Sequence, residues 1–337
     1  NLGEGYVRLR VSEAERRQAK HDIQHVEDIV IEMLRNARDA GADKVYLATT
    51  KEDGVRTLVF LDNGSGVPQD MQERIFDARV TSKLESMKMD RWGVHGRGMA
   101  LFSIKQNTDE ARVVASDVDL GSVFKVSVAT DRLGERADQS SWPQAVKDED
   151  GHYVCARGPH NIIRAACEFA LEELRACDVY LGSPSEIAAT LHAQASSHLD
   201  ASRLLFIDDE AELPVVDRLG LASDAEDFIR ICSGLGLEMS ERTAHRILAG
   251  QIKPVRGVTA RLLRERDSSS HASAPVDLAK DRRGLRIAKD DMAQFSRAVE
   301  RDFNDLASRY YLNLCGDPKI RVSRDRIIVT FDLAKEE

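Results

Sequence analysis

Between residues 11 and 40 the apolar side chains Ile23, Val26, Val30, Met33, Leu34 and Ala37 recur at three- and four-residue steps. That spacing predicts an amphipathic helix, which Gly41 ends. Two β-type runs, 44–50 and 56–61, flank the turn-forming Glu52-Asp53-Gly54 and predict a hairpin. Beyond Asp62-Asn63-Gly64-Ser65-Gly66, Pro68 is placed to open a short helix through Phe76. A glycine-punctuated loop over 83–98 leads into a helix over 99–105, and strands follow at 111–116 and 122–130. The order of elements predicts an α/β domain over 1–135, a mixed sheet with helices on one face.

The segment 131–150 is polar around Trp142-Pro143 and reads as a linker. A mainly helical region is expected over 151–267, and Ser268-Ser269-Ser270-His271-Ala272-Ser273-Ala274-Pro275 reads as a second linker by composition. The last piece, 275–337, is expected to be a small α+β module: a long helix over 290–311, then strands at 319–322 and 326–332.

Composition narrows the class. Of 337 residues, 42% are hydrophobic and 31% charged, the balance of an ordinary globular protein. No stretch approaches the roughly 20 apolar residues that span a bilayer, so no membrane partner is expected. Cys155, Cys167, Cys177, Cys232 and Cys315 form no CxxC pair, which points to thiols in a reducing cytoplasm. A net charge of -9 argues against wholesale coating of nucleic acid and leaves room for a local basic patch.

On the first helix Glu32, Asn36 and Asp39 stand four and three residues apart, so at about 100° per residue they share one stripe opposite the apolar one. Alone, such a stripe is ordinarily a solvated face, and Asp62-Asn63-Gly64-Ser65-Gly66 alone is a turn. In order they are followed by Thr81-Ser82-Lys83, then Gly93-Val94-His95-Gly96-Arg97-Gly98-Met99-Ala100-Leu101, then Gly121-Ser122-Val123-Phe124. Together these pieces resemble the GHKL superfamily of gyrase, heat-shock chaperones, histidine kinases and MutL, over residues 20–130. The local match to MutL runs through Glu32-Met33-Leu34-Arg35-Asn36-Ala37-Arg38-Asp39-Ala40-Gly41-Ala42 and Thr81-Ser82-Lys83.

The resemblance implies a Bergerat two-layer sandwich that binds ATP with magnesium and hydrolyses it slowly. It places Asp39, Ala40, Asp62, Gly64, Gly66, Thr81 and Ser82 at the nucleotide. An amide oxygen such as that of Asn36 suits magnesium, which prefers oxygen ligands and retains waters. Glu32, one turn earlier, takes the general-base role that the family gives a carboxylate here. Asp62 is expected to accept the adenine amino hydrogen, with Ser122 helping through water. Gly93, Gly96 and Gly98 let the backbone approach the phosphates, and the same loop forms the lid. Lys83 and Arg97 are either phosphate contacts or ordinary exposed cations. His95 reads as a spectator, and His21 and His25 lie too near Asn36 to be the phosphoacceptor of a histidine kinase.

After Thr130 the MutL pattern stops: the stretch leading to a transducer domain is absent from the sequence, which argues against mismatch repair. Over 229–264, Leu235-Gly236-Leu237 followed by Ser240, Thr243, Arg246 and Lys253-Pro254 resembles a phage-repressor helix-turn-helix. Between Ser240 and Arg266 stand Arg242, Arg246, Lys253, Arg256, Arg261, Arg264 and Arg266 against Glu241 and Glu265, a balance suited to phosphate. A packing or partner-binding module is the plainer reading. Two functions follow: an ATP-driven conformational switch that controls DNA or a protein partner through the helical half and can form a nucleotide-dependent homodimer, or a histidine kinase-like phosphotransferase.

Overall fold

The computed structural model describes residues 6–8, 12–81, 88–95, 98–136, 138–199, 209–263 and parts of 292–335. The chain divides into two compact units, Asn1–Ser269 and Ser270–Glu337. At the centre of the first is a five-stranded sheet made of β2 (Lys44–Glu52), β3 (Val55–Asp62), β7 (Glu110–Ser116), β8 (Ser122–Ala129) and β11 (Asp178–Gly182). Its strand order is β11-β2-β3-β8-β7. The first four pair antiparallel and β11 runs parallel to β2, so the sheet is mixed.

The expected hairpin is there. Glu52 pairs with Val55, leaving Asp53 and Gly54 at φ 48 and 78, the doubly positive conformation that a twist-compatible two-residue turn demands. In β2 and β3 the runs Val45-Tyr46-Leu47-Ala48 and Leu58-Val59-Phe60-Leu61 are apolar without alternation, and both faces of the sheet are buried. Val45, Leu47, Leu58 and Phe60 pack into one core, Tyr46, Ala48, Val59 and Leu61 into another. Truncating Leu47, fully buried, to Ala would cost about 2–5 kcal/mol.

The first core is covered by α2 (Val26–Asp39), α3 (Ala100–Asn107) and α4 (Ile162–Glu172). The helix expected over 11–40 is broken: α1 (Glu13–Asp22) ends before Ile23, and α2 starts at Val26. The break follows from Asp28, whose carboxylate accepts the backbone N–H groups of Gln24 and His25, both at 2.9 Å, and so fixes the start of α2. Gly41, at φ +76, ends α2 as expected. Pro68 opens two 3-10 turns, Gln69–Met71 and Arg74–Phe76, in place of one short helix.

The second core is covered by the helical region expected after residue 151: α5 (Pro184–His198) and the helices Ala225–Gly234 and Glu241–Leu248. That region is joined to the sheet, since it contributes β11 at the edge and a third layer on the face that α2 leaves open. The expected linker 131–150 carries β9 (Gln144–Lys147), paired with β10 (Tyr153–Arg157). Trp142 stacks beneath Arg261, 4.0 Å from the ring centroid, so this polar stretch is packed rather than spanning.

In the second unit, the expected strands are β13 (Lys319–Val322) and β14 (Ile327–Thr330), paired antiparallel. A second pair, β12 (Leu312–Leu314) with β15 (Leu333–Lys335), was not foreseen from the sequence. The expected linker 268–275 and most of the expected helix 290–311 lie outside the described residues. Among the described residues, no helix is long and apolar enough to cross a membrane.

Candidate functional site

A cavity of about 490 Å³ opens between α2, the ends of β3 and β8, and the start of α3. Among the residues expected at a nucleotide, Glu32, Asn36, Asp39, Ala40, Asp62, Gly66, Gly98 and Ser122 line it. Gly64 sits behind the wall: its N–H donates to Asp62 Oδ1 at 2.8 Å, and a Cβ there would meet Ala40 Cβ and the Ala40 carbonyl at 2.9 Å. Thr81 ends β4 (Val80–Thr81), and Gly93 opens β6 (Gly93–His95). Ser82, Lys83, Gly96 and Arg97, and the side chain of Thr81, lie outside the described residues.

The turn after β3 holds the floor. Asn63 Oδ1 accepts the backbone N–H groups of Asp43 and Lys44 at 3.1 and 2.9 Å, and Ser65 N–H donates to the Ala40 carbonyl at 2.9 Å. These bonds pin the turn to the end of α2. Gly66 is required here: at φ +71, a Cβ would lie 1.8 Å from the Asp117 carbonyl oxygen.

Asp62 is 4% exposed, and the hydrogen bond from the Gly64 N–H does not outweigh burial, which pushes the carboxyl up to about 7. An added donor would favour its charged form. Ser122, 3% exposed, is its cross-strand partner and lies 3.2 Å from the Ser116 hydroxyl, which accepts Val67 N–H at 2.7 Å. A buried acceptor beside buried hydroxyls suits an amino-bearing heterocycle.

Asn36 lines the cavity from α2, and its Nδ2 is buried with no hydrogen-bond partner among the described residues. A carboxamide left unmatched at a cavity wall is what a ligand contact requires, and its two ends exchange by rotation. This fits magnesium: Asn36 would supply one neutral oxygen, and phosphate and water the rest of the shell.

Glu32 faces the cavity with its side chain 22% exposed, and Arg35 Nη1 donates to its Oε1 at 2.6 Å. The sequence reading missed this arginine and the group around it. Arg35 Nε donates to Asp90 Oδ2 at 2.8 Å, Nη2 donates to Asp90 Oδ1, and Arg38 Nη1 reaches Asp90 at 3.3 Å and Glu173 at 3.1 Å. Burial would raise the Asp90 carboxyl, but the bonds and charge of Arg35, with the Trp92 N–H and Arg38, hold it below its ordinary value. The only signal in the sequence is the three-residue step from Glu32 to Arg35, which on a helix puts the two side by side. Asp90 is 55 residues away, beyond any local pattern.

The basic segment lies on the opposite face of the sheet. Ser240 Oγ accepts Thr243 N–H at 3.3 Å and caps the helix Glu241–Leu248, while Ala244 and Ile247 anchor it in the second core. Arg242, Arg246 and Lys253 are exposed, and Arg242 and Arg246 line a shallow hollow with His245 and Ala249.

Residues 23–116 match the family model described as histidine kinase-, DNA gyrase B- and HSP90-like ATPase. With the mixed sheet and the cavity on α2, the match assigns this segment to the GHKL ATPase superfamily. Among curated proteins, the chain is 28% identical over 136 residues to the DNA mismatch repair protein MutL of Staphylococcus aureus strain Newman, and equally to that of strain JH1. The alignment covers 37% of this chain and 20% of each relative's length.

Proposed function

We propose that the chain is a slow, magnesium-dependent ATPase that acts as a conformational switch, with its helical layer as the output. The observation that carries this reading is the convergence of Glu32, Asn36, Asp62 and Ser122 on one cavity. Asp62 and Ser122 recognise adenine, Asn36 holds the metal that neutralises phosphate charge, and Glu32 accepts the proton of the attacking water. The water oxygen bonds to the γ-phosphorus as the bond to the bridging oxygen breaks, and ADP leaves with that electron pair.

A route from the site to the output is present. The Leu120 carbonyl, in the turn that precedes Ser122, accepts Val215 N–H at 2.8 Å, and Val215 belongs to the second core. Closure around a nucleotide would therefore bear on the layer that presents Arg242, Arg246 and Lys253. We place DNA at those side chains because they are exposed together on one capped helix and the turn after it, and because the relatives are named for DNA mismatch repair.

Steady-state ATPase assays with and without duplex DNA test this. Wild-type turnover should rise or fall with DNA, and Glu32→Gln should retain ATP while losing at least about 100-fold in turnover. Equal loss of binding and turnover in Glu32→Gln would remove it as the base, and turnover indifferent to DNA would redirect the output to a protein partner.

A further inference from the structure

Arg35 is 3% exposed, yet its guanidinium serves two carboxylates, Glu32 three residues before it and Asp90 55 residues after it. Two of its nitrogens take Asp90 side-on, and the third is turned to Glu32 Oε1 at 2.6 Å. We propose that Arg35 is a positioning residue for hydrolysis, holding the Glu32 carboxylate in register with the hairpin of β5 (Lys88–Asp90) and β6. The proposal rests on Glu32 being the base.

The hairpin is itself fixed. Trp92 N–H donates to Asp90 Oδ1 at 3.0 Å, and the indole stacks on Phe169 of α4 with centroids 6.4 Å apart. The ring centroid also lies 5.7 Å from the Arg35 guanidinium carbon. A planar fork of five N–H donors can bridge two carboxylates in a set geometry, which the single ammonium of lysine cannot. Holding the hairpin down needs only Asp90, so the third donor has another use. It links the rotamer of Glu32 to whether the hairpin is docked.

The test compares kcat and KM for Mg-ATP in the full chain. Arg35→Lys keeps the buried charge and loses the bridge. The double variant Arg35→Met with Asp90→Asn removes both charges, so no carboxylate is left buried and unpaired. Each should lower kcat about tenfold or more while KM and calorimetric ATP affinity stay within about threefold, because a misaimed base slows chemistry without loosening the nucleotide. Wild-type kcat in the double variant overturns the proposal, as does a parallel collapse of kcat and affinity in both variants, the mark of a purely structural residue. Glu32→Gln separates the two readings. If it turns over normally, the base assignment fails and this proposal with it. If it is inactive while the double variant is fully active, only the role of Arg35 fails.

Discussion

Asp62 and Ser122 stand opposite each other across the antiparallel pair of β3 and β8, and both are buried at the floor of the cavity. Because Asp62 Oδ1 already takes the Gly64 N–H, the proposed contact with the adenine amino group would fall to the other oxygen. In Asp62→Asn the amide oxygen must stay with Gly64, which turns an NH2 toward that amine. ATP affinity should drop by about 1–3 kcal/mol, roughly 5- to 150-fold. Isothermal titration calorimetry giving an unchanged Kd would remove Asp62 from adenine recognition.

The same carboxyl gives the protein a pH dependence of a definite sign. Its folded-state value is raised by burial to about 7 from an ordinary 3.8, so between those values the folded state keeps a proton that the unfolded chain has lost. Stability contributed by this group therefore falls as pH rises through that window. Denaturant melts across the window should show a downward slope in the wild type that is flatter in Asp62→Asn. ATP, by adding a donor, favours the charged form, so binding should release a proton and tighten as pH rises toward neutrality. Calorimetry in buffers of different ionisation heat would detect that proton, and its absence would contradict the assignment.

Asn36 has a buried amide nitrogen without a partner among the described residues, so its removal takes little from the empty protein. Asn36→Ala should lower Mg-ATP affinity about tenfold or more, while affinity measured in EDTA changes little. An equal loss with and without magnesium would show that the amide contacts phosphate rather than metal.

Gly66 should tolerate no side chain. Gly66→Ala places a methyl group 1.8 Å from the Asp117 carbonyl oxygen at φ +71. The strained backbone alone costs about 1–3 kcal/mol, and the clash adds to it, so a thermal melt should show a clear loss of Tm. A melt that matches the wild type would mean that the turn can move away from Asp117.

On the opposite face, replacing Arg242 and Arg246 together by Ala should weaken DNA binding and reduce its salt slope by about one for each lost phosphate contact. ATPase activity without DNA should be unchanged, because both side chains are exposed and lie outside the nucleotide cavity. A wild-type protein that binds no DNA at low salt, with or without a non-hydrolysable ATP analogue, would leave this helix as a packing or protein-binding element.

By itself the sequence determined what depends on neighbours along the chain. The three- and four-residue steps of Val30, Met33 and Ala37 specify a helix whose polar stripe bears Glu32 and Asn36, because helical periodicity is local. Asp53-Gly54 specifies a tight hairpin because only certain residues accept positive φ readily. The ordered motifs, through the family they resemble, assign Asp62 and Ser122 to one site, and both line the cavity. Tertiary structure decided whatever depends on partners far along the chain. The unalternated runs of β2 and β3 contain the information that both faces are buried, but not that β11 extends the edge of the sheet or that the helices from residue 184 onward cover the second face. A polar composition around Trp142 suggests solvent until Arg261 is seen to cover it. Burial also reversed the expectation for single side chains: Arg35 belongs by type at the surface, and only the arrival of Asp90 from a distant hairpin makes a charge at 3% exposure tenable. Asp62 is likewise an ordinary carboxylate in the sequence, and it acquires a value near 7 only because the folded strands exclude water from it.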